Sequence, residues 1–405
     1  MAHVTFCWEL GAGTGHVARY RGLIADLLAD RHRVSFVARD VDVARRVLAP
    51  LDVPLRPAPR AAVPAAALIR GPSTYAGLMW NCGFHAADAL QARVLEWRAA
   101  LGALRPDVVV VDHGPTALLA ARTLGLRVFA AGSGFAVPPP ADPLPPFRWW
   151  APPDPATCAA EEARVMAHVA ACLRYFGAPV LPTLAALVSP DTQCLMTFPE
   201  LDHYPTRCGA DYLGCADGPD YAVAPHWPDG AGPRVFAYLD GTLALDAVVR
   251  GLTAAGARVC LYGPHLDGAG RAALTGPAVT VMDSPVGLDR DAAPFELAVT
   301  NGNFNTVCRL LLRGTPQLVL SYDIEKYQVG RRVEALGAGL CVPRARVADL
   351  PRVISALLRQ REYRRAAAHF AARYAASTAA AERHTLRARL GVADPVPMYG
   401  AEARN

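Results

Sequence analysis

Paired cysteines are missing from this chain. Its ten cysteines, at positions 7, 82, 158, 172, 194, 208, 215, 260, 308 and 341, fall singly, with no C-x-x-C pair among them. A tight zinc site is therefore not expected. Several, such as Cys260 in ARVCLYG and Cys341 in GLCVPR, sit in apolar runs and read as free core thiols of a reducing compartment. Cys208 and Cys215 flank a Gly-containing turn and could lie close together. Long hydrophobic runs are absent too: nothing approaches the roughly 18 apolar residues of a membrane span. The opening segment MAHVTFCWEL lacks a basic leader, and Glu9 interrupts its apolar stretch, so no signal peptide is expected and the protein reads as cytoplasmic. Charge of one sign is not concentrated: 41 Lys and Arg against 36 Asp and Glu give +5, and the arginines are scattered. With no helix-turn-helix, RNA-binding or paired-Cys finger signature, no nucleic-acid partner is expected. No fixed-period repeat appears.

What is present is a rhythm. Hydrophobic residues make up 52% and charged residues 19% of 405 residues. That suffices to bury real cores in two or more domains of roughly 100–200 residues. HVTFCWEL, RVSFVA, DVVVVD and RVFAA are continuous apolar runs of the kind buried parallel strands require, and VARYRGLIADLLAD, AALQARVLEWRAAL and TALLAARTL between them have helical period. Such alternation implies a doubly wound sheet. Residues 137–155, VPPPADPLPPFRWWAPPDP, hold too many prolines for a helix or central strand, so an ordered loop is expected that buries Phe147, Trp149 and Trp150 somewhere. A long helix follows from Cys158. Residues 214–233 are rich in Gly and Pro and read as a linker, after which RVFAYLD, ARVCLYG, AVTVMD, ELAVT, PQLVLS and GLCV supply the strands of a second sheet. DLPRVISALLRQREYRRAAAHFAARYAAS and TAAAERHTLRARL read as closing helices, with loose order from about residue 391. The expected division is 1–215, a linker at 216–233, 234–376, and a closing helix and tail at 377–405.

The most telling segment is 296–340, which reads strand, Gly/Asn turn, helix, strand, turn, helix. Asn301-Gly302-Asn303-Phe304-Asn305-Thr306 places small and amide residues where a helix begins just past a strand. Free N–H groups and the helix dipole make such a place suited to phosphate. A capping turn without a ligand fits the same residues. The next turn carries Asp323, Glu325, Lys326 and Gln328, a polar group able to read hydroxyls or charge.

This segment resembles the donor-binding signature of the UDP-glycosyltransferase family, which runs T/S-H-G-G-x-x-T/S, an apolar strand, an acidic-Gln pair and N-A-R-R-V-E-x-L-G-A-G. VTNGNFNTV stands for its first part and GRRVEALGAGL for its last. WELGAGTGHVARYRGLIADLLADRHRVSFVARD and RPDVVVVDHGPTALLAARTLGLRVF resemble the family's opening loop and a later strand with its acidic residue, in the family's order. The resemblance implies the GT-B fold: α/β, with two Rossmann-like doubly wound parallel-sheet domains facing a cleft, and a last helix crossing back to the first domain. It also implies an inverting, metal-independent transfer of sugar from a UDP- or dTDP-sugar co-substrate to a hydroxyl of a small-molecule or peptide acceptor, with no further cofactor. Two positions depart from the pattern. Asn301 stands where the family has a phosphate-contacting His, and Lys326 where it has Gln.

The resemblance assigns His16, ending GAGTGH, as general base and Asp112, ending RPDVVVVD, as its acidic partner. Histidine titrates near neutrality, as a base should. His113 and His85 are alternative bases, and alternation along a strand lets only one of Asp112 and His113 face the cleft. On the donor side stand Gly241 and Thr242 after one strand; Met282, Asp283, Ser284 and Val286 after another, matching the family's base-reading segment; Asn301, Gly302, Asn303, Asn305 and Thr306 at the diphosphate; and Glu325 and Lys326 at the sugar. Lys326 reads either as a replacement charge or as a surface partner of Glu325. For the acceptor, Trp8, Gly13, Trp80, Phe84, His85 and Trp149 are the candidates. A homodimer is left open. GAGTGH also invites an NAD-binding reading with Asp40 as ribose acid, but that fingerprint needs Gly where His16 stands. A UDP-sugar epimerase, a lipid-linked transferase and a non-catalytic auxiliary homologue complete the rivals.

Overall fold

A computed structural model describes residues 1–190, 192–215, 222–239, 245–289, 292 and 294–392. Among them lie two six-stranded parallel sheets. The first holds β1 (His3–Trp8), β2 (Arg33–Ala38), β3 (Leu55–Pro57), β4 (Val108–Asp112), β5 (Arg127–Gly132) and β6 (Gln193–Leu195), in the order β3-β2-β1-β4-β5-β6. The second holds β7 (Arg234–Tyr238), β8 (Arg258–Tyr262), β9 (Val279–Met282), β10 (Leu297–Thr300), β11 (Gln317–Ser321) and β12 (Gly339–Pro343), in the order β12-β11-β10-β7-β8-β9. Helices α1 (Gly15–Ala29), α2 (Val41–Leu48), α3 (Tyr75–Met79), α4 (Ala87–Leu104), α5 (Pro115–Thr123), α6 (Pro155–Tyr175) and α7 (Leu184–Val188) belong to the first half. The second half carries α8 (Leu245–Ala254), α9 (Gly268–Leu274), α10 (Phe304–Leu312), α11 (Ile324–Ala335), α12 (Leu350–Arg359), α13 (Arg361–Arg373) and α14 (Ala379–Leu390).

Each apolar run became a strand because parallel strands are covered on both faces. All five residues of β4, VVVVD, are buried, and so are all four of β10, LAVT. Strand order reverses beside β1 in one sheet and beside β7 in the other. At such switch points the loops leave the carboxyl edge in opposite directions and open a crevice. Register fixes what stands there. Trp8 pairs with Asp112 across β1 and β4, and Tyr238 with Thr300 across β7 and β10.

The halves are stitched together by the chain's end. α14 lays Leu386 and Leu390 into the core formed by β1, β2 and α1 of the first sheet. Arg383 pairs with Asp26 at 3.0 Å, while Arg387 pairs with Asp30 and Arg389 with Asp211. Phe198 of the first half packs against Phe370 and Tyr374, 5.2 and 4.4 Å between ring centres.

Several details differ from the sequence reading. Residues 350–373 form two helices rather than one, because Gln360 adopts an extended conformation (φ −80°, ψ 117°) with no Gly or Pro to announce it. Strands β3 and β6 are three residues each, too short to show a period. All ten cysteines are free; Cys208 is exposed while Cys215 is buried. No helix among the described residues is long and apolar enough to cross a membrane.

The Pro-rich segment is an ordered loop over 137–154, as expected, and Pro155 opens α6. Phe147 is fully buried against Phe135, 5.8 Å between centres. Trp150 meets Tyr327 of α11 edge-on at 5.1 Å, and Gln328 donates to the Phe147 carbonyl. Glu162 on α6 fastens the loop by accepting the Leu144 N–H at 2.6 Å. Burial pushes this carboxyl up to about 7. A carboxyl raised in the fold binds its proton more tightly there than in the unfolded chain, so its contribution is intact at acid pH and is lost as pH climbs through 7. Glu162→Gln keeps the accepting oxygen without the charge. It should raise Tm at pH 8 by about 2–4 °C and change it less at pH 5, as differential scanning calorimetry would record.

Candidate active site

After β1 the chain runs Glu9 to Thr14 before α1 begins, and this turn is pinned at both sides. The Leu10 N–H donates to the His113 carbonyl at 2.9 Å, and the Trp8 indole N–H to the Leu10 carbonyl at 2.6 Å. Glu9 accepts the N–H groups of Thr116 (2.9 Å) and Ala117 (3.2 Å) at the start of α5, where a carboxylate suits the helix dipole. Arg93 lies 3.7 Å from its other oxygen. Glu9, noted in the sequence only as an interruption, thus locks the β1 and β4 loops together.

The pinned turn sets His16, second residue of α1, over Trp8: the rings stack at 5.1 Å and 15°. His16 Nδ1 lies 3.1 Å from Asp112 Oδ1. Gly11 runs beneath the ring with φ +84°, and a Cβ built on it would stand 2.4 Å from His16 Nε2. A side chain there would fill the approach to that nitrogen. Arg19, one turn along α1 and 6% exposed, places Nε 3.6 Å from Asp112 Oδ2 and donates from the same atom to the Gly15 carbonyl at 3.0 Å. Burial alone would raise the Asp112 carboxyl, but Arg19 and then His16 outweigh it and hold it below its ordinary value, so it is ionised. His113 is different. Burial, with His16 beside it, pushes it down to about 3, so its ring is neutral. Its backbone is left-handed (φ +47°), outside β4. Strand alternation therefore does not govern it, and its ring lies only 6.5 Å from that of His16.

The second domain meets this edge across a cavity of about 220 Å³. Its first-domain wall is Ala12 to His16 with Ala18 and Arg19; opposite stand Gly302 to Thr306, Arg309, Glu325 and Lys326; the far end is Phe236, Tyr238, Tyr262, Pro285, Val286 and Leu288. Gly302, at φ +85°, is obligatory, since a Cβ would approach the Lys326 carbonyl to 2.9 Å. The N-terminus of α10 opens onto the cavity with Asn305 and Thr306. Asn305 also reaches across: its Oδ1 accepts from Arg19 Nη2 at 3.2 Å and its Nδ2 faces the Gly15 carbonyl at 3.4 Å. Tyr238 and Tyr262 stack at 5.5 Å and 24°, giving the far end a flat aromatic wall. Burial raises the Glu325 carboxyl above its ordinary value, against the opposing pull of His16, Arg19 and Lys326.

Other expected residues are placed less centrally. Asn301 is buried behind the turn and is not part of the cavity wall. Of Met282, Asp283, Ser284 and Val286, Val286 lines the cavity, Met282 packs against the core behind it, and Asp283 is exposed. Gly241 and Thr242 lie outside the described residues. Lys326 is the only lysine in the chain. Its ammonium pairs with Asp323 at 3.2 Å and sits 3.6 Å from the Tyr322 ring centre, so the surface reading erred on the partner, which is not Glu325. Among the acceptor candidates, Gly13 lines the cavity (φ +88°), with nothing within 4 Å of a built Cβ. Trp8 is the floor under His16. Phe84 is wholly enclosed in the core, and Trp80 is held by Arg164 (4.0 Å to its ring) and the Ala67 carbonyl, with His85 against it. Trp149 packs on Trp150. Trp80 and Trp149 are half-buried. The sequence reading missed Arg19, Arg309, Phe236, Tyr238 and Tyr262. The two tyrosines end neighbouring strands at a switch point, and that was the available signal. Asp40, the ribose-acid candidate of the NAD-binding reading, caps α2 by accepting the Asp42 and Val43 N–H groups.

Two outcomes follow from this geometry. Gly11→Ala should obstruct His16 Nε2 and slow any proton transfer that uses it, by about 10²-fold, with ligand affinity at the α10 turn unchanged by calorimetry. Because Lys326 is the sole side-chain amine, an amine-reactive label should modify it once, and a ligand filling the cavity should protect it; equal labelling with and without ligand would place it outside the bound complex.

No protein-family model and no curated protein matches the sequence. Solved structures do. The spinosyn rhamnosyltransferase SpnG aligns over 96% of this chain and 100% of its own at 19% identity, with a TM-score of 0.67. The calicheamicin glycosyltransferase CalG4 aligns over 97% and 99% at 16% identity and 0.68. The glycosyltransferase VinC, solved in complex with dTDP, aligns over 96% and 100% at 16% identity and 0.65. SpnG is also known with thymidine diphosphate and with spinosyn aglycone. Over the 96–97% of the chain that aligns with them, it has the two-domain GT-B fold of these glycosyltransferases.

Proposed function

We propose that the protein is an inverting, metal-independent glycosyltransferase that moves a sugar from a dTDP- or UDP-sugar to a hydroxyl of a small-molecule acceptor. The observation that carries this reading is the His16–Asp112 pair, 3.1 Å apart, on one wall of a cavity whose other wall is the N-terminus of α10. With Nδ1–H donated to the ionised Asp112, Nε2 is left to accept a proton, and Gly11 keeps the approach to it open. The acceptor oxygen attacks the anomeric carbon as its proton passes to Nε2. The bond from that carbon to the phosphate oxygen breaks, and the nucleoside diphosphate leaves with the electron pair. A single displacement inverts the carbon. The leaving charge would be met by the α10 N–H groups, Thr306 and the neighbouring cations. Phe236, Tyr238, Tyr262 and Val286 form an apolar, flat-walled end suited to a pyrimidine, and Glu325 faces the space between as an acceptor for sugar hydroxyls.

Support for a thymidine nucleotide comes from SpnG and VinC, both solved with thymidine diphosphate, and support for a small-molecule acceptor from SpnG with its aglycone. In this reading 1–215 bind the acceptor, 234–376 the donor, and α14 closes the fold. A binding-only auxiliary would have no use for a base and carboxylate held in register.

His16→Ala should cut nucleoside diphosphate release from a donor panel by roughly 10²–10⁴-fold while donor affinity stays within a factor of about two. Asp112→Asn should slow release with the fold preserved, and EDTA should leave the wild-type rate unchanged. Full turnover by His16→Ala would move the base elsewhere.

A further inference from the structure

The most unusual polar group outside the base pair is Arg19. It is 94% enclosed (6% exposed), carried by the acceptor-side domain, and yet lines the cavity. Its five N–H donors are only partly used. Nε serves the Gly15 carbonyl and stands near Asp112, Nη2 meets the side-chain amide oxygen of Asn305 at 3.2 Å, and Nη1 has no hydrogen-bond partner among the described residues. A buried guanidinium with idle donors is costly. An amide oxygen is also a weak partner for a full positive charge, which prefers a carboxylate or phosphate. Asn305 lies in the first turn of α10, whose free N–H groups favour an anion at this same place. Meanwhile Asn301 brings no charge to the turn and lies behind its wall.

We propose that Arg19 is the leaving-group cation of this site, supplied across the cleft by the acceptor-side domain. When a nucleoside diphosphate occupies the α10 turn, Nη2 passes from Asn305 Oδ1 to a phosphate oxygen, while Nε keeps its bond to the Gly15 carbonyl and its place 3.6 Å from Asp112 Oδ2. The same guanidinium then meets the charge that grows as the sugar–phosphate bond breaks and orients the carboxylate that holds the base. This rests on the donor reading given above.

Calorimetry of the full chain with dTDP, UDP, thymidine and uridine separates the two claims. For the wild type, diphosphates should bind far more tightly than the nucleosides. Arg19→Gln should weaken diphosphate binding by about 10–100-fold and leave nucleoside binding unchanged, with Arg19→Lys in between. The ratio of diphosphate to nucleoside affinity is read within each variant, so partial misfolding does not imitate the effect, and Arg19→Lys carries the test if the Gln variant does not fold. A wild-type ratio preserved in both variants overturns the role of Arg19, as does an equal loss for nucleoside and diphosphate. A wild type that binds none of the four overturns the donor reading itself, and this inference with it.

Discussion

Asp112 is a fully buried carboxylate with two claimants. His16 takes one oxygen at 3.1 Å and Arg19 approaches the other at 3.6 Å. A lone ionised carboxylate at this depth would be untenable; between an arginine and an imidazole it is held charged. Everything else at the cleft depends on that arrangement. It fixes the His16 ring and so leaves Nε2 over Gly11. It also holds Arg19 across the gap toward Asn305, so that His16 and the 301–306 turn are joined by one series of polar contacts spanning two domains.

The sheets make this arrangement possible by register alone. Trp8 and Asp112 are direct neighbours across β1 and β4, so the residues that follow them emerge side by side at a switch point. Tyr238 and Thr300 do the same in the second sheet, which puts the flat aromatic wall next to the 301–306 turn. α14 packs its leucines on the first sheet's core and pairs its arginines with Asp26, Asp30 and Asp211, closing the two halves against one another.

Much of the fold was legible because its causes are local. VVVVD and LAVT are apolar throughout, as doubly covered strands must be, and the Gly-Asn turn at 301–306 marks its helix start by residue type. Where the causes are tertiary, the sequence was silent or misleading. Nothing at Gln360 signals the break between α12 and α13. Strand alternation seemed to set Asp112 and His113 on opposite faces, but a left-handed backbone at His113 ends the alternation one residue early. Of the aromatic residues chosen for an acceptor pocket, Trp8 and Phe84 are buried while Trp80 and Trp149 are half-buried, and composition does not distinguish a ring facing a cleft from one facing a helix. His16 and Asp112, 96 residues apart, were singled out through resemblance and do lie together, whereas Arg19 was passed over because nothing in its neighbourhood along the chain marks it. Its contact across the cleft is with Asn305, 286 residues away.

The account stands most directly on what the cavity between the domains binds. Calorimetric titration of the wild-type protein with dTDP, UDP and NAD, competed pairwise, measures this. The account predicts one site per chain for a pyrimidine nucleoside diphosphate, with no heat from NAD and no displacement by it. Saturable NAD binding without affinity for either diphosphate would contradict it.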